Sequence, residues 1–526
     1  LKPLQKRGAF RRAAPFARMG WQLLRPLALA AASVGALADG SKGGLKIWII
    51  APPMSMLEGA VRLAVELKAR GHSVAVGTTD KARAKLEKKG VPFLSLGKHP
   101  LSAEEETAIF AKVSNSSGFI RQVSGAAPLF DGIDAAIRAG LPGAAASQGL
   151  PDVMVCSAGA SCCAEFADEQ GVPFAWILPT LAMIAPLFTQ LPYVPAVQTG
   201  FPYGAMAIWQ RALNLVPIIM VKVVFPVVGW PNKAFGAMVE KVPGRMLLVP
   251  SVPGLDYPQH APPLVQYTGP FLTAKDADPA LLGGELRSWL EAPGALPVLY
   301  VSMGTVVQLP KHLCQLFLEA LRGAAAAGEW RMLWALPANQ QEVCLGDPDT
   351  KELLAPGGPL HVSAWVHTPA ALGHPNVRAF LSHCGGNGAS ESAWARTPLL
   401  GLPFFGDQFD VCYRLRDAGL GLVLDKATAK PEDIRAAMRR LLSEESFAQA
   451  GARVGRLMAA HGGVQRAAEL VEMLHDLGGD VSFLQTPMDT QGVLAASCAD
   501  LLLLAALLLA ACCFACGRCS GLRAAR

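Results

Sequence analysis

The residues best suited to chemistry lie in one segment of the chain, residues 365–408. Its centre is the glycine-rich stretch 382–388, with the sequence SHCGGNG. An apolar strand is predicted just before this stretch, over Val377–Leu381, and a helix is predicted to start just after it. Such a turn lets backbone N–H groups approach an anion at the helix N-terminus. His383 and Asn387 add side-chain donors, so the pattern predicts a binding site for phosphate oxygens.

Three further polar side chains lie at spacings that suit a sugar nucleotide. Glu391 can accept hydrogen bonds from two hydroxyl groups of a ribose. Asp407 and Gln408 form an acid–amide pair suited to the hydroxyl groups of a sugar. Each feature alone has a plain structural explanation, since a glutamate in a first helical turn often serves only the helix dipole. The joint spacing favours a binding site.

The elements that must position these residues follow an α/β pattern. A nearly continuous apolar run over Leu45–Ala51 predicts a buried parallel strand. Apolar residues at helical spacing over Glu58–Ala69 predict a helix, and Ser73–Gly77 predicts the next strand. This β-α-β unit opens a Rossmann-like domain, which we place at residues 39–250.

A second strand–helix series begins at Val298–Ser302 and predicts a second Rossmann-like domain at residues 297–485. Between the two domains, residues 251–296 are rich in proline and turn signals and show no long periodic segment. They are therefore predicted to form a linker. Two α/β domains joined in this way face each other across a cleft, which is the default place for a ligand.

The spacing within residues 365–408 resembles the signature of the UDP-glycosyltransferase family. The resemblance extends from Leu45 to the C-terminal region. Within the family, the chain most resembles the membrane-anchored, animal microsomal branch. It implies a GT-B fold and an inverting transfer of a hexosyl or hexuronosyl unit from a donor such as UDP-glucose or UDP-glucuronate. The implied acceptor is a small lipophilic molecule. Apart from the UDP-sugar co-substrate, no cofactor and no metal are implied.

The family's donor-binding roles fall on particular residues of this chain. The resemblance implies that Trp365 stacks on the uracil and that Glu391 binds the ribose. It implies that the glycine-rich turn holds the diphosphate and that the acid–amide pair holds the donor sugar. It also implies that the turn within Tyr300–Val306 lies near the nucleotide. The implied donor-binding residues are Gly304, Thr305, Trp365, His383, Asn387, Gly388, Glu391, Asp407 and Gln408.

The acceptor side departs from the family at both catalytic positions. Many members have a histidine after the first strand, which deprotonates the acceptor and is oriented by an aspartate. Counted back from the motif Glu66–His72, the histidine position is Met56, and the aspartate position falls on about Ser157. Neither side chain is a general base at neutral pH without help, so the catalytic residues are unassigned. The other candidate bases are Ser55, Glu58 and His99. The alternative function is a non-catalytic UDP-sugar- or lipid-binding pseudoenzyme.

The two ends of the chain predict its location. Residues 1–38 are predicted to be a leader, because an apolar block follows Met19 and ends in the cleavage pattern Ala36-Leu37-Ala38. An amphipathic transit peptide is the alternative. Residues 493–516 are apolar and long enough for a transmembrane helix, and the arginine-bearing residues 517–526 would be its cytosolic tail. Together they predict a single-pass type I membrane protein of the endoplasmic reticulum or secretory pathway, with lumenal catalytic domains.

Composition narrows the remaining classes of function. The net charge of +6 is spread along the chain without a basic stripe, which argues against nucleic acid as a partner and leaves the oligomeric state open. The 12 cysteines are predicted not to form a disulfide framework. Adjacent Cys162 and Cys163 are predicted to be small buried hydrophobes. Residues 183–230 are apolar but interrupted by prolines, and are predicted to form a buried or membrane-apposed helical region.

Overall fold

The computed structural model of the chain describes residues 44–116, 118–179, 194–195, 198–220, 224–259, 261–485 and 507. The expected leader (1–38) and cytosolic tail (517–526) lie outside these residues. So does the expected membrane helix (493–516), except for Leu507. In the described ranges, no helix has both the length and the apolar character needed to cross a membrane.

The first domain is built on a parallel sheet of seven strands, in the order β3-β2-β1-β4-β5-β6-β7. The strands are β1 (Lys46–Ile50), β2 (Ser73–Thr78), β3 (Phe93–Ser95), β4 (Val153–Ser157), β5 (Phe174–Ile177), β6 (Leu247–Val249) and β7 (Val265–Tyr267). The helices along this part of the chain are α1 (Met56–Ala69), α2 (Arg83–Lys88), α3 (Ala103–Ser114), α4 (Phe119–Gln148), α5 (Cys162–Gln170), α6 (Ile208–Ile219), α7 (Phe225–Val228) and α8 (Lys233–Lys241).

The second domain is built on a parallel sheet of six strands, in the order β10-β9-β8-β11-β12-β13. The strands are β8 (Val298–Ser302), β9 (Arg331–Ala335), β10 (Leu360–Ser363), β11 (Val377–Ser382), β12 (Leu399–Gly401) and β13 (Gly421–Val423). The helices are α9 (Gly284–Leu290), α10 (Lys311–Ala326), α11 (Ala338–Leu345), α12 (Thr350–Leu353), α13 (Thr368–Gly373), α14 (Gly386–Ala395), α15 (Gln408–Asp417), α16 (Pro431–Ser443), α17 (Glu445–Ala460) and α18 (Gly463–Asp476).

The central strands are buried, which explains their apolar sequences. In β1, Ile47, Ile49 and Ile50 are 0% exposed, and four of the five residues of β8 are buried as well. A parallel sheet with helices on its faces leaves no polar side to its middle strands. The two predicted Rossmann-like domains are therefore confirmed.

The parallel arrangement also brings the functional segments to the strand ends. Met56 follows the carboxyl end of β1, and Ser157 is the last residue of the neighbouring strand β4. Gly304 and His383 follow the carboxyl ends of the neighbouring strands β8 and β11. In sheets of this kind ligands bind outside the carboxyl ends of the strands.

The interval 251–296, expected to be a linker, belongs in part to the two domains. Its strand β7 pairs with β6 and extends the first sheet beyond the predicted boundary at residue 250. Its helix α9 places Leu286 and Leu290 in the core of the second domain. A three-residue strand is too short to show a period in the sequence, which explains why the prediction missed it.

Helix α18, the last long helix of the described residues, packs on the first domain although it lies within the interval predicted for the second. It packs against α1, β4 and β5. Glu472 on α18 accepts a hydrogen bond from Arg70 at 3.2 Å and contacts His72 Nε2 at 2.9 Å. Part of the interval 297–485 therefore packs on the first domain.

Among the described residues, three disulfides overturn the prediction that the cysteines form no disulfide framework. They join Cys156 to Cys163, Cys314 to Cys344, and Cys384 to Cys412. Cys163 is thus bonded, whereas its neighbour Cys162 is a free, buried thiol. The paired residues are 7, 30 and 28 positions apart, and the packing of the folded chain brings them together.

Candidate functional site

His383 lies at the centre of the predicted donor site, between two glycines. A Cβ atom at Gly304 would lie 2.6 Å from His383 Cε1, and one at Gly385 would lie 2.4 Å from His383 Nε2. Gly304 also has a φ of +69°, which favours glycine. The ring therefore fits only because both neighbours lack side chains.

The imidazole of His383 is neutral and retains an unused polar atom. Burial lowers the pKa of His383 to about 4, against a smaller opposing effect of a hydrogen bond with the Ser302 backbone. Its Nδ1 is buried, and no described residue offers it a hydrogen-bond partner. A buried polar atom without a partner is costly unless a ligand supplies one. A ligand bound at the start of α14 would supply the missing partner.

Helix α14 begins next to His383, with Gly385 as its N-cap. The backbone N–H groups of its first turn have no partner within the helix and attract anions. Gly388 lies in this turn, and a Cβ there would meet the Phe380 ring at 3.4 Å. Asn387 donates its side-chain amide to the backbone carbonyl of Ser55 at 2.8 Å. Asn387 therefore links α14 to the first domain, a contact that the sequence did not predict.

Glu391 is the buried carboxylate of the site and lies one turn farther along α14. It is 8% exposed, and its Oε1 atom is 3.3 Å from a guanidinium nitrogen of Arg62. Burial raises the pKa of Glu391 to about 7, and the charge of Arg62 opposes that rise. The carboxyl group is therefore close to its midpoint at neutral pH.

Trp365 presents a large exposed aromatic surface. It follows β10 and is 69% exposed, while Ser363 Oγ donates to its backbone carbonyl at 2.8 Å. Its ring meets His367 edge to face, with the ring centroids 5.9 Å apart. An exposed tryptophan with a fixed backbone suits stacking on a planar base. Thr305, beside Gly304, is also exposed.

The acid–amide pair lies at the start of α15. Gln408 Oε1 accepts hydrogen bonds from the backbone N–H groups of Phe404 at 2.9 Å and Phe405 at 3.1 Å. These bonds orient Gln408 so that its amide nitrogen is the group left for a sugar hydroxyl. Asp407 is the N-cap of α15, and burial raises its pKa to about 6.

Two glutamines of the first domain hold the loop before Asp407, and sequence reasoning missed both. Gln122 Oε1 accepts a hydrogen bond from the backbone N–H of Gly406 at 2.9 Å. Gln198 Nε2 donates to the carbonyl of Gly406 at 3.0 Å, and its backbone N–H donates to Asp410 Oδ1 at 3.0 Å. No local pattern marks a glutamine that contacts a distant loop, so the sequence carried no signal for them.

The disulfide between Cys384 and Cys412 joins the two donor segments. Cys384 lies in the glycine-rich turn, and Cys412 lies on α15 behind the acid–amide pair. The turn expected to hold the diphosphate and the helix expected to hold the sugar are therefore covalently connected.

The acceptor side offers no strong base among the three other candidates. Both ring nitrogens of His99 are occupied, Nδ1 by Thr79 Oγ1 at 3.0 Å and Nε2 by Glu106 Oε1 at 2.5 Å. Burial acts to raise the pKa of Glu58, but Lys85 and Lys89 outweigh it and lower that pKa to about 2. Ser55 is exposed, and its carbonyl binds Asn387.

The two family positions for the catalytic pair lie at the same edge of the first sheet. Met56 is the half-buried first residue of α1. Ser157 is 1% exposed, and its Oγ has no hydrogen-bond partner among the residues that the structure describes. In the same part of the chain, no group of three His, Cys, Asp or Glu residues is arranged to hold a metal ion.

Comparison with known proteins identifies the family. The sequence profile described as "UDP-glucoronosyl and UDP-glucosyl transferase" matches residues 144–461. UDP-glycosyltransferase 1 of Phaeomoniella chlamydospora is 28% identical over 44% of this chain and 47% of its own length. Human 2-hydroxyacylsphingosine 1-beta-galactosyltransferase is 28% identical over 37% of this chain and 33% of its own length. The chain thus spans about half or less of the length of these curated relatives.

Solved structures agree on the fold. The glycotransferase of kitacinnamycin superposes with a TM-score of 0.58 at 22% identity, covering 82% of this chain and 99% of its own. The two parallel-sheet domains therefore form a GT-B fold. Together with the profile match over residues 144–461, this places the chain in the family of UDP-glucoronosyl and UDP-glucosyl transferases.

Proposed function

We propose that the chain transfers a hexosyl or hexuronosyl unit from a UDP-sugar to a small lipophilic acceptor, with inversion at the anomeric carbon. The observation that carries this proposal is His383, whose buried Nδ1 has no partner among the described residues and lies beside the N-terminus of α14. The backbone N–H groups at the start of a helix stabilise the negative charge that develops on a leaving diphosphate.

In the proposed reaction the acceptor hydroxyl attacks the anomeric carbon from the side opposite UDP. The bond from the acceptor oxygen to that carbon forms while the bond from the carbon to the UDP oxygen breaks. The acceptor proton leaves to a base or to water, and UDP takes the electron pair of the broken bond. The cleft between the domains supports this path by holding both reactants in line.

The name of one relative supports a lipophilic acceptor, since the human protein is called a galactosyltransferase of 2-hydroxyacylsphingosine. The test is turnover. The purified protein is incubated with UDP-glucose, UDP-glucuronate or UDP-galactose, with and without lipophilic alcohols, phenols and amines, and released UDP is measured. Acceptor-dependent release with one donor supports the proposal. Tight UDP binding without release from any pair would favour the non-catalytic alternative.

UDP binding should depend on both His383 and Glu391. A hydrogen bond to a charged group contributes about 1.5–3 kcal/mol, so His383→Ala and Glu391→Ala should each weaken UDP binding by roughly 10- to 150-fold. Isothermal titration calorimetry measures this effect directly. His461→Ala is the control, because His461 lies at the end of α17 with its Nδ1 next to the Leu457 carbonyl, and this variant should bind UDP normally. Unchanged affinity in both folded site variants would disprove the donor site.

We also propose that the chain works at a membrane of the secretory pathway, with its two domains in the lumen. Apolar side chains on α6 and α7 support this location, because Ile208, Trp209, Val227 and Val228 are 60–81% exposed. By contrast, the polar residue Asn214 on α6 is 0% exposed, and its side-chain amide donates to the Val194 carbonyl at 2.8 Å. Exposed apolar patches of this kind suit contact with a membrane surface. Of the two alternatives predicted for residues 183–230, a buried or a membrane-apposed helical region, the exposed side chains of α6 favour the second.

The topology is tested by protease protection. Protease added to intact microsomes should leave the two domains whole and remove only a C-terminal tail. Digestion of the domains without detergent would place them on the cytosolic side and contradict the proposed location.

A further inference from the structure

Arg62 crosses the cleft between the domains and reaches the carboxylate expected to bind the ribose. It lies on α1 of the first domain, and its Nη2 atom donates to Glu391 Oε1 on α14 at 3.3 Å. The side chain of Arg62 is 17% exposed and that of Glu391 is 10% exposed. The two residues are 329 positions apart in the sequence.

We propose that Arg62 is a positioning residue for the donor, which holds one oxygen of Glu391 so that the other accepts the hydroxyl groups of the ribose. The inference rests on the proposed function, because it requires Glu391 to meet a nucleotide. The contact is a single charge-assisted hydrogen bond, so it holds that one oxygen and favours the charged form of the carboxylate.

Two further carboxylates lie close to Arg62. Besides Glu391, it lies 3.7 Å from Asp276 Oδ1, in the 3₁₀ helix Ala274–Ala277, and 3.7 Å from Glu58 Oε1 on its own helix. Three carboxylates therefore surround one guanidinium group. In this proposal the ribose binds Oε2 of Glu391, while Arg62 keeps its contact with Oε1.

Arg62 also controls the charge of Glu391. The ionisable groups that face Glu391 are Arg62 and Glu58 from α1, Asp276 from the 3₁₀ helix, and Tyr300 from β8. Arg62 is the cation of this set. Without it, burial and two neighbouring carboxylates would favour the protonated form of Glu391 at neutral pH. A protonated carboxyl group accepts hydrogen bonds from ribose hydroxyls less well than a carboxylate does.

A second contact on α1 connects the donor side of the cleft to the acceptor side. Ser55 O accepts the Asn387 amide at one end of α1, and Arg62 binds Glu391 farther along the same helix. The two contacts span about 10 Å of α1 at 1.5 Å per residue. They dock α14 onto the helix that begins at Met56, the family's position for the catalytic histidine. Donor and acceptor geometry are linked through this contact.

The test is the pH dependence of UDP affinity. Calorimetry measures the dissociation constant of each variant from pH 6.5 to 9, and each value is divided by that of the wild type at the same pH. The ratio cancels the titration of UDP itself. Arg62→Ala should bind UDP about tenfold more weakly at pH 6.5 and less than about twofold more weakly at pH 9. The direction follows because loss of the cation raises the pKa of Glu391, so the ionised form is lost first at low pH. Arg62→Lys, which keeps the charge, should recover most of the affinity at pH 6.5.

Two further variants decide how Arg62 acts. In a Glu391→Gln background, Arg62→Ala should change UDP affinity by less than about twofold, because the amide does not titrate. Arg440→Ala, which removes an exposed arginine paired with Glu444, should have no effect at any pH. A loss in Arg62→Ala that is equal at all pH values, or that adds fully to Glu391→Gln, overturns the inference. If Glu391→Gln itself leaves UDP binding unchanged, the proposed donor site fails instead.

Discussion

The variant that carries both Met56→His and Ser157→Asp should glycosylate simple alcohols faster than the wild type by about 10²–10⁴-fold, the usual contribution of a general base. An alcohol has a hydroxyl pKa far above neutral and needs proton removal as it attacks. The two positions support this pairing, because β1 and β4 are neighbouring strands and both residues lie at their carboxyl ends. The buried position of Ser157 would place an aspartate where it can orient the new imidazole.

The acceptor series provides the internal control for this prediction. Amines and thiolates already carry a free lone pair, so their rates should change little between wild type and variant. UDP affinity should also be unchanged, which verifies that the variant is folded. If the wild type already transfers sugar to alcohols as fast as to amines, and the double substitution changes nothing, another group is the base.

Arg414→Met should lower the free energy of unfolding by about 3–5 kcal/mol, the usual cost of breaking a buried ion pair. Arg414 on α15 is 3% exposed and donates from Nη1 to Asp256 Oδ1, which is 5% exposed. Its guanidinium group also lies 4.9 Å from the centre of the Tyr257 ring. Removing the cation leaves the Asp256 carboxylate buried without its partner. Urea unfolding at neutral pH measures the loss.

A double variant distinguishes the contribution of the ion pair to stability from that of packing alone. Replacing both partners by apolar residues, Asp256→Leu with Arg414→Met, removes the unpaired charge and often costs little. The double variant should therefore be more stable than Arg414→Met alone. A double variant that is less stable than either single variant would show that Asp256 and Arg414 contribute through other contacts.

The parts of the fold that the sequence predicted are those with local causes. The run Leu45–Ala51 was predicted to be a strand because a strand covered on both faces must be apolar throughout, and β1 lies within it. The glycine-rich turn beside His383 was predicted because such a turn lets backbone N–H groups approach an anion, and the structure adds that Gly304 and Gly385 leave room for the His383 ring. The donor turn and its flanking strand and helix were therefore predictable.

The contacts that the sequence did not predict join residues far apart in the chain. The partner of Arg62 lies 329 positions away, and nothing in the spacing of α1 selects one distant carboxylate among many. The partner of Cys384 is likewise fixed by packing, which brings the two Cα atoms to 5.4 Å. Folded geometry is needed to see such pairs.

The return of α18 to the first domain has a consequence for how the chain is made. Val464, Leu470 and Leu474 of this helix are at most 3% exposed, and the helix packs on α1, β4 and β5. During synthesis the ribosome produces this helix after every strand of both sheets. Until then, the apolar face of the first domain that α18 covers is exposed to solvent. Expression of the first domain alone should therefore yield an aggregation-prone fragment, and adding a separate peptide of residues 463–476 should improve its solubility.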